Sequence, residues 1–368
     1  ALFGSGRSGG APAPAPRGAE VSALLAQADD AIRRRYDSAL ALASLERARV
    51  LAPQDRGVQV YLATVLLSRD RLEEALAHFQ AVFDAGGEEA THLHFLQQYV
   101  LALHRLGDRA ALDALWPRVA ATPGVIWRTP LQCPDLVDDT LLDGARPFPD
   151  VAQSGAVPRR LTELRRRILQ EFEAFVTRPG WESERYFRHK QDTDLVNGND
   201  ASRWTEMLLF DRGQWDPRAC ERLPSACRAL RGMVEIEGIL HGKRAGQVSL
   251  LKLEAGTTLV PHFGTVNWRY TVQLGLMVPD GVWLHCGNES KQFQQGELLV
   301  LDDSFLHSVE HKGTGPRVTL FANYFHPETR PMTYDEWLTM PHTLSPVWVL
   351  YDAAQLGAAL QAAAPGTA

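Results

Sequence analysis

The stretch PHFGTVNWRYTVQLGLMVPDGVWLHCGNESKQFQQGELLVLDDSFLHSVEHKGTGPRVTLFANYFHPE, residues 261–328, decides what kind of fold this chain adopts. Short β-prone runs follow one another through it, separated by Gly, Pro, Asn and Asp. The pattern predicts strands over 246–253, 257–262, 267–278, 281–286, 297–302, 307–311 and 316–325. Many short strands with such punctuation indicate an antiparallel sandwich or barrel. Three polar groups stand at the strand boundaries. His262 ends one strand, His307 opens another 45 residues later, and Arg317 follows the turn Lys312-Gly313-Thr314-Gly315.

Upstream, Trp204–Phe210 reads as a further strand and Asp216–Leu230 as a helix with Ala219, Leu223 and Leu230 inward. Asn197-Gly198-Asn199-Asp200 is a turn signal. Residues 158–178 predict an amphipathic helix, with Leu161, Leu164, Ile168, Phe172 and Phe175 on one face. Its run Arg165-Arg166-Arg167 is a solvated face. Residues 123–157 hold several prolines and read as a connector that wraps the domain after it, which we bound at 158–345. Residues 346–368 are expected to form a C-terminal helix and tail.

Residues 19–122 differ in character: they are rich in Ala, Leu, Arg and Glu at helical spacing. Three units recur at an interval of about 34–36 residues, with Ala41, Ala75 and Ala111 in equivalent places. Leu45 and Ala48 belong to the first unit, Leu62, Leu66, Phe79 and Val82 to the second, and Ala102 and Leu115 to the third. Breaks fall at Pro53 and Gly86-Gly87. These units resemble tetratricopeptide repeats, which stack into a solenoid with a concave face; a generic helical bundle is the alternative. Residues 1–18 are Gly, Ser, Ala and Pro with little apolar bulk, and read as a disordered leader.

The chain has 368 residues, enough for two or three domains. Its net charge of −6 argues against a general nucleic-acid partner. No run approaches the roughly 20 apolar residues of a membrane span. No signal-peptide pattern opens the sequence, so a cytoplasmic location is expected. None of the four cysteines forms a CxxC pair, which argues against structural zinc. Cys220 and Cys227 are close enough to bridge, and reduced thiols are the equal alternative.

Imidazole is a good ligand for iron and other divalent metals, and two histidines on adjoining strands can point into one cavity. The planar fork of Arg317 suits a carboxylate. A metal beside a buried arginine could chelate a 2-oxo acid at one end and hold its far carboxylate at the other. Each histidine alone is more often structural.

A resemblance sharpens this. Residues 204–328 resemble the aspartyl/asparaginyl β-hydroxylase family. The matching places are Trp204-Thr205, Cys220-x6-Cys227, Gly256-Thr257-x3-Pro261-His262, Gly264 and Asn267-x-Arg269. They continue through Leu274-Gly275-Leu276, Asn288-Glu289, Gly296, Asp302-Asp303-Ser304-Phe305-x-His307, Arg317 and His326-Pro327-Glu328. The resemblance implies a double-stranded β-helix (a jelly-roll or cupin-like barrel) with flanking helices, following the helical repeats. It implies a dioxygenase using Fe(II), 2-oxoglutarate and O2 to hydroxylate the β-carbon of Asp or Asn in a peptide or protein. His262 and His307 correspond to the iron ligands, and Arg317 to the arginine that grips the far carboxylate of 2-oxoglutarate. Gly264 stands where the wider fold uses a ligating carboxylate, and Asp303 matches an acid that holds water there. Arg269, with Asn267 and Thr271, is assigned to substrate. The family serine for 2-oxoglutarate falls at Leu251, so Ser249 or Lys252 is expected to substitute, with Gln273 in place of a family histidine. Thr271 replaces a family arginine. Two other readings stay open: the same chemistry on a free amino acid or other small molecule, and a non-catalytic repeat scaffold with an idle barrel.

Overall fold

A computed structural model describes residues 18–32, 37–183, 186–190, 195–197 and 200–339. The expected C-terminal helix and tail, nearly all of the expected leader, and Gly198-Asn199 of the expected turn lie outside these residues.

The first part is helical: α1 (Ala19–Asp30), α2 (Ser38–Leu51), α3 (Arg56–Ser68), α4 (Leu72–Ala85), α5 (Glu88–Thr91), α6 (Leu93–Leu106) and α7 (Arg109–Ala120). Aspartates at three N-caps start these helices by accepting an otherwise unpaired backbone N–H. Asp37 accepts from Leu40, Asp55 from Val58 and Asp108 from Ala111. Helices α1/α2, α3/α4 and α6/α7 pack as successive hairpins. Ala41 and Ala75 occupy the same place on α2 and α4 and are fully buried, so the facing helices approach closely. Ala111, the third of the series, lies in α7 and is only partly buried. Among the described residues no helix is long and apolar enough to cross a membrane.

Helix α8 (Ala156–Val176) opens the second part. It is followed by β1 (Arg188–His189), β2 (Trp204–Asp211), β3 (Gln214–Trp215), α9 (Pro217–Cys220), α10 (Pro224–Leu230), α11 (Val234–Glu237), β4 (Ile239–Leu240) and β5 (Lys243–Arg244). Next come β6 (Val248–Leu253), β7 (Thr258–His262), β8 (Arg269–Met277), β9 (Val282–Cys286), β10 (Glu289–Gln292), β11 (Leu298–Leu301), β12 (His307–His311), β13 (Arg317–Phe325) and α12 (Tyr334–Thr339). One antiparallel sheet runs β1-β2-β6-β13-β8-β11, with β3 added at β2. A second runs β10-β9-β12-β7.

Side-chain alternation assigns the faces. On β8, Tyr270, Val272, Leu274 and Leu276 join a core with Leu161, Ile168, Phe172 and Phe175 of α8. Arg269, Thr271 and Gln273 point the other way and line a cavity. On β13, Val318, Leu320, Ala322 and Tyr324 face the α8 side, leaving Arg317, Phe321 and Asn323 on the cavity. A separate apolar cluster containing Leu253, Leu259, Leu284, Phe293, Leu301 and Val309 draws on both sheets.

The seven strands read over 246–325 are all present with ends shifted by at most two residues. Strand β10 was not foreseen: Glu289-Ser290-Lys291-Gln292 lies at a sheet edge and is mostly exposed, so it carries no apolar alternation. The single helix expected over Asp216–Leu230 is two, because Pro224 cannot donate within a helix and instead begins a new one. Cys220 and Cys227 are disulfide-bonded across this break.

Residues 127–138 form a strap between helices and sheets. On one side, Gln97 of α6 donates to the Cys133 carbonyl, while His94 meets Asp135 and His104 meets the Pro130 carbonyl. On the other, Leu306 N–H donates to Leu131, and Leu136 N–H donates to Thr265. Gln132 reaches Asp302 and Ser304. Helix α6 also touches β7 directly: Arg105 Nε donates to the Pro261 carbonyl at 3.0 Å. The helical core therefore extends to Phe263 and Leu306, each next to one of the two strand-boundary histidines.

Candidate active site

His262 ends β7 and His307 begins β12, and they are directly opposed across that antiparallel pair. Their ring centroids are 4.1 Å apart. Each Nδ1 is committed to a backbone carbonyl two residues earlier: His262 to Val260 at 2.8 Å and His307 to Phe305 at 2.9 Å. A neutral imidazole donating from Nδ1 keeps its lone pair on Nε2, so both rings are set in the tautomer that ligates a metal through Nε2. Burial, then the neighbouring His307, holds His262 well below the ordinary histidine range, and burial likewise lowers His307. Neutral imidazole is the ligating form.

The rings open on a cavity of 1320 Å³, also lined by Asp303, Arg269, Thr271, Gln273 and Arg317. Asp303 Oδ2 accepts from Arg269 Nη2 and from Thr271 Oγ1, both at 3.0 Å. Asp303 Oδ1 is buried with no hydrogen-bond partner among the described residues. Its neighbour Asp302 does different work: it accepts from Ser304 and Gln132 and ties the turn to the strap. Burial raises the Asp302 carboxyl to about 8.

Gly264 explains the missing carboxylate at its position. A Cβ built there would stand 2.6 Å from both the carbonyl oxygen and Oδ1 of Asp303. Gly264 N–H also donates to that carbonyl at 2.6 Å. The Asp303 side chain thus fills the space that a side chain at 264 would need.

Arg317 is 1% exposed, and its guanidinium stacks over Phe293 at 4.8 Å. Its Nε and Nη1 have no partner among the described residues. Burial lowers it to about 10, which leaves it cationic at neutral pH. Leu253 pairs with Arg317 on one side and with Trp204 on the other, so the three form one row on the cavity face. Trp204 lines the cavity, is 6% exposed, and its Nε1–H is likewise unpartnered. Buried donors without acceptors cost roughly 1–3 kcal/mol each, and three of them in one row are suited to an anion. Sequence reading missed Trp204 as a donor, because its alignment with Arg317 is set by strand register.

Of the other expected site residues, Gln273 and Thr271 line the cavity, and Lys252, Ser249 and Asn267 do not. Lys252 lies on the opposite face of β6 from Leu251 and pairs with Glu254 at 2.7 Å. Ser249 shares the inner face but does not line the cavity, and receives a 3.4 Å contact from Gln247. Gln273 lines the cavity, with its carbonyl accepting from Thr319. Thr271 has its one hydroxyl proton committed to Asp303, and it accepts from Asn323 Nδ2 at 2.7 Å. Asn267 is 1% exposed and clamps the strap, accepting from Asp138 N–H and donating to the Asp138 carbonyl, both at 2.8 Å. Asn267→Ala is therefore expected to cost about 2–3 kcal/mol of stability through two unmade buried hydrogen bonds. Thermal melting would show this, and the KM for substrate should stay unchanged; the reverse pattern would make Asn267 a substrate contact.

No group of three or more His, Cys, Asp or Glu among the described residues is arranged to hold a metal. A metal here would rest on two protein imidazoles. The two opposed imidazoles, each with Nδ1 committed to a carbonyl, fit an ion, and the unpartnered donors of Arg317 and Trp204 fit the carboxylate of a small acid.

A β-rich domain with opposed histidines beside a cationic pocket defines the class; comparison with known proteins then narrows it. Residues 163–327 match the sequence profile described as aspartyl/asparaginyl beta-hydroxylase. The human aspartyl/asparaginyl beta-hydroxylase is 32% identical over 142 residues, which is 38% of this chain and 18% of that protein. Mouse aspartate beta-hydroxylase domain-containing protein 1 is 36% identical over 125 residues, 33% of this chain and 34% of that one. Human aspartate beta-hydroxylase domain-containing protein 2 is 32% identical over 135 residues, 36% of each chain. The likeness to the aspartyl/asparaginyl beta-hydroxylase family lies in this domain, over less than half of the chain. The match spans less than a fifth of the human hydroxylase and about a third of the other two. Among solved structures, a predicted oxalate decarboxylase from Thermotoga maritima aligns at 16% identity with a TM-score of 0.20, over 22% of this chain and 66% of that one. That likeness is too low to carry an argument.

Proposed function

We propose that this chain is an Fe(II)- and 2-oxoglutarate-dependent hydroxylase acting on an Asp or Asn side chain of a peptide or protein, built on a double-stranded β-helix preceded by tetratricopeptide-like repeats. The strand orders β6-β13-β8-β11 and β10-β9-β12-β7 support the fold reading. The observation that carries the function is the opposed pair His262 and His307, both tautomers set for Nε2 ligation, in one cavity with the unpartnered Arg317.

Bound iron would supply O2 activation coupled to oxidative decarboxylation of the cosubstrate. The chain's own groups do the rest. His262 and His307 hold the metal. Arg317 and the Trp204 indole N–H hold the far carboxylate of 2-oxoglutarate, with Trp204 taking the part that a serine plays elsewhere. His307 begins β12 and Arg317 begins β13 just after the turn joining them. Both line the one cavity that would hold the cosubstrate. Leu259, Leu284, Leu301 and Val309 give the cavity an apolar wall that limits water. A cavity of 1320 Å³ exceeds the roughly 300–1,000 Å³ usual for small ligands and leaves room for a peptide segment. Its rim includes Arg212, Arg244, Tyr334 and Trp337. Helix α6 lies against β7 next to the site, which supports a part for the repeats in holding such a substrate.

The test is anaerobic titration with Fe(II) and 2-oxoglutarate, then O2, measuring a charge-transfer band, succinate and a +16 mass shift on peptides. Absence of both band and succinate would overturn the reading; turnover on free amino acids alone would replace the peptide substrate. Arg317→Met should weaken 2-oxoglutarate roughly 30- to 1000-fold, the loss for truncating one side of a buried charge pair. Trp204→Phe should weaken it about 10- to 150-fold, as for one hydrogen bond to a charged group. Equal cosubstrate affinity in Trp204→Phe would remove the indole from that role.

A further inference from the structure

We infer that Thr271, backed by Asn323, is a positioning residue that aims the Asp303 carboxylate at the metal position rather than a substrate contact. The inference rests on the iron-site reading above. Thr271 and Asn323 are directly paired across β8 and β13. Asn323 Nδ2 donates to Thr271 Oγ1 at 2.7 Å, and Thr271 Oγ1 donates to Asp303 Oδ2 at 3.0 Å. The three groups form one directional chain: amide to hydroxyl to carboxylate. A hydroxyl has one proton to give, and that of Thr271 is spent on Asp303. It has no donor left for a substrate carboxylate.

The geometry at Asp303 shows what this achieves. Both external donors, Thr271 and Arg269, converge on Oδ2. Two donors on one oxygen fix the rotation of the carboxylate. Oδ1 is thereby held buried and unpartnered against Gly264. That is the space a ligating side chain at 264 would occupy, so Oδ1 is free to accept from a water on the ion. Asn323 is itself held from behind: a Cβ at Gly246 would come within 2.6 Å of its Oδ1, so only glycine lets the amide sit there. Thr271, Asn323 and Asp303 are each under a tenth exposed, so the chain is not exchanged with solvent.

The test uses Co(II) as a spectroscopic substitute for iron, titrated anaerobically into the full chain with 2-oxoglutarate. Partners that support a metal site are worth about 10- to 100-fold in affinity. Thr271→Val should therefore weaken Co(II) by about tenfold or more and shift its visible bands, while Thr271→Ser should restore both. In turnover, Thr271→Val should lower kcat with little change in peptide KM. Unaltered Co(II) affinity and spectrum in Thr271→Val would overturn the inference, as would a raised peptide KM with unaltered metal affinity. Should Thr271→Val not fold, Asn323→Ala decides: a shifted spectrum supports the chain and an unchanged one overturns it. If the unmodified chain binds no Co(II) at all, the iron-site reading fails and this inference with it. If it binds and the variants keep its Co(II) affinity and spectrum, this inference alone fails.

Discussion

His262→Ala is expected to abolish succinate formation and to lower metal affinity by well over the roughly 10- to 100-fold that supporting partners contribute. The size follows from the small ligand set. With two protein imidazoles and no third ligating group among the described residues, removing one leaves a single point of attachment. His307→Ala should match it, because the two are opposed across one strand pair and their carbonyl partners at Val260 and Phe305 are equivalent. Both variants should keep their melting temperature within a few degrees, since each ring gives up only one hydrogen bond to a carbonyl. Anaerobic equilibrium dialysis with Fe(II) or Mn(II), followed by succinate assay, checks both halves. Retained metal affinity in either variant would place the ion elsewhere and remove the pair from the chemistry.

Where side-chain phase was visible, the sequence could be read to the atom-bearing face. In β8, polar Arg269, Thr271 and Gln273 alternate with apolar Tyr270, Val272 and Leu274, and the cavity received the polar set. In β6 the same reasoning was silent. Val248, Leu250, Leu251 and Leu253 are apolar on both faces, because the strand is buried on both. Lys252 was therefore a plausible cosubstrate ligand by distance from His262, yet a period of two turns it away from Leu251 and toward Glu254. The place of Asn267 was hidden for another reason. Its partner Asp138 lies 129 residues earlier, on a strap whose course no local pattern reveals. Trp204, Leu253 and Arg317 come into one row only through the register of three strands distant in sequence. The histidine pair was legible as two metal-binding residue types at strand ends; the carbonyls that set their tautomers were not.

Gly264 is where the family pattern and the general chemistry of such sites conflict, and where substitution should have the second large effect. A ligating aspartate at this position would be the usual third iron ligand, so Gly264→Asp could be expected to strengthen the metal site. The structure predicts the opposite. The backbone at 264 is not left-handed, so the demand for glycine is one of space. Any Cβ would sit 2.6 Å from the Asp303 carbonyl, a rigid backbone atom that also accepts the Gly264 N–H. Gly264→Ala alone should therefore cost about 1–3 kcal/mol, the usual range for overpacking. Gly264→Asp adds a second carboxylate beside Asp303 Oδ1, within a turn already closed by Asp302, Ser304 and the strap. To accommodate it, Asp303 must move, which breaks its bonds to Arg269 and Thr271 and displaces the loop that leads into His307. The expected result is lower thermal stability, weaker Co(II) binding and no succinate. Tighter Co(II) binding with an unchanged melting temperature would mean that the cavity had room for a third protein ligand, and that Asp303 does not hold its place.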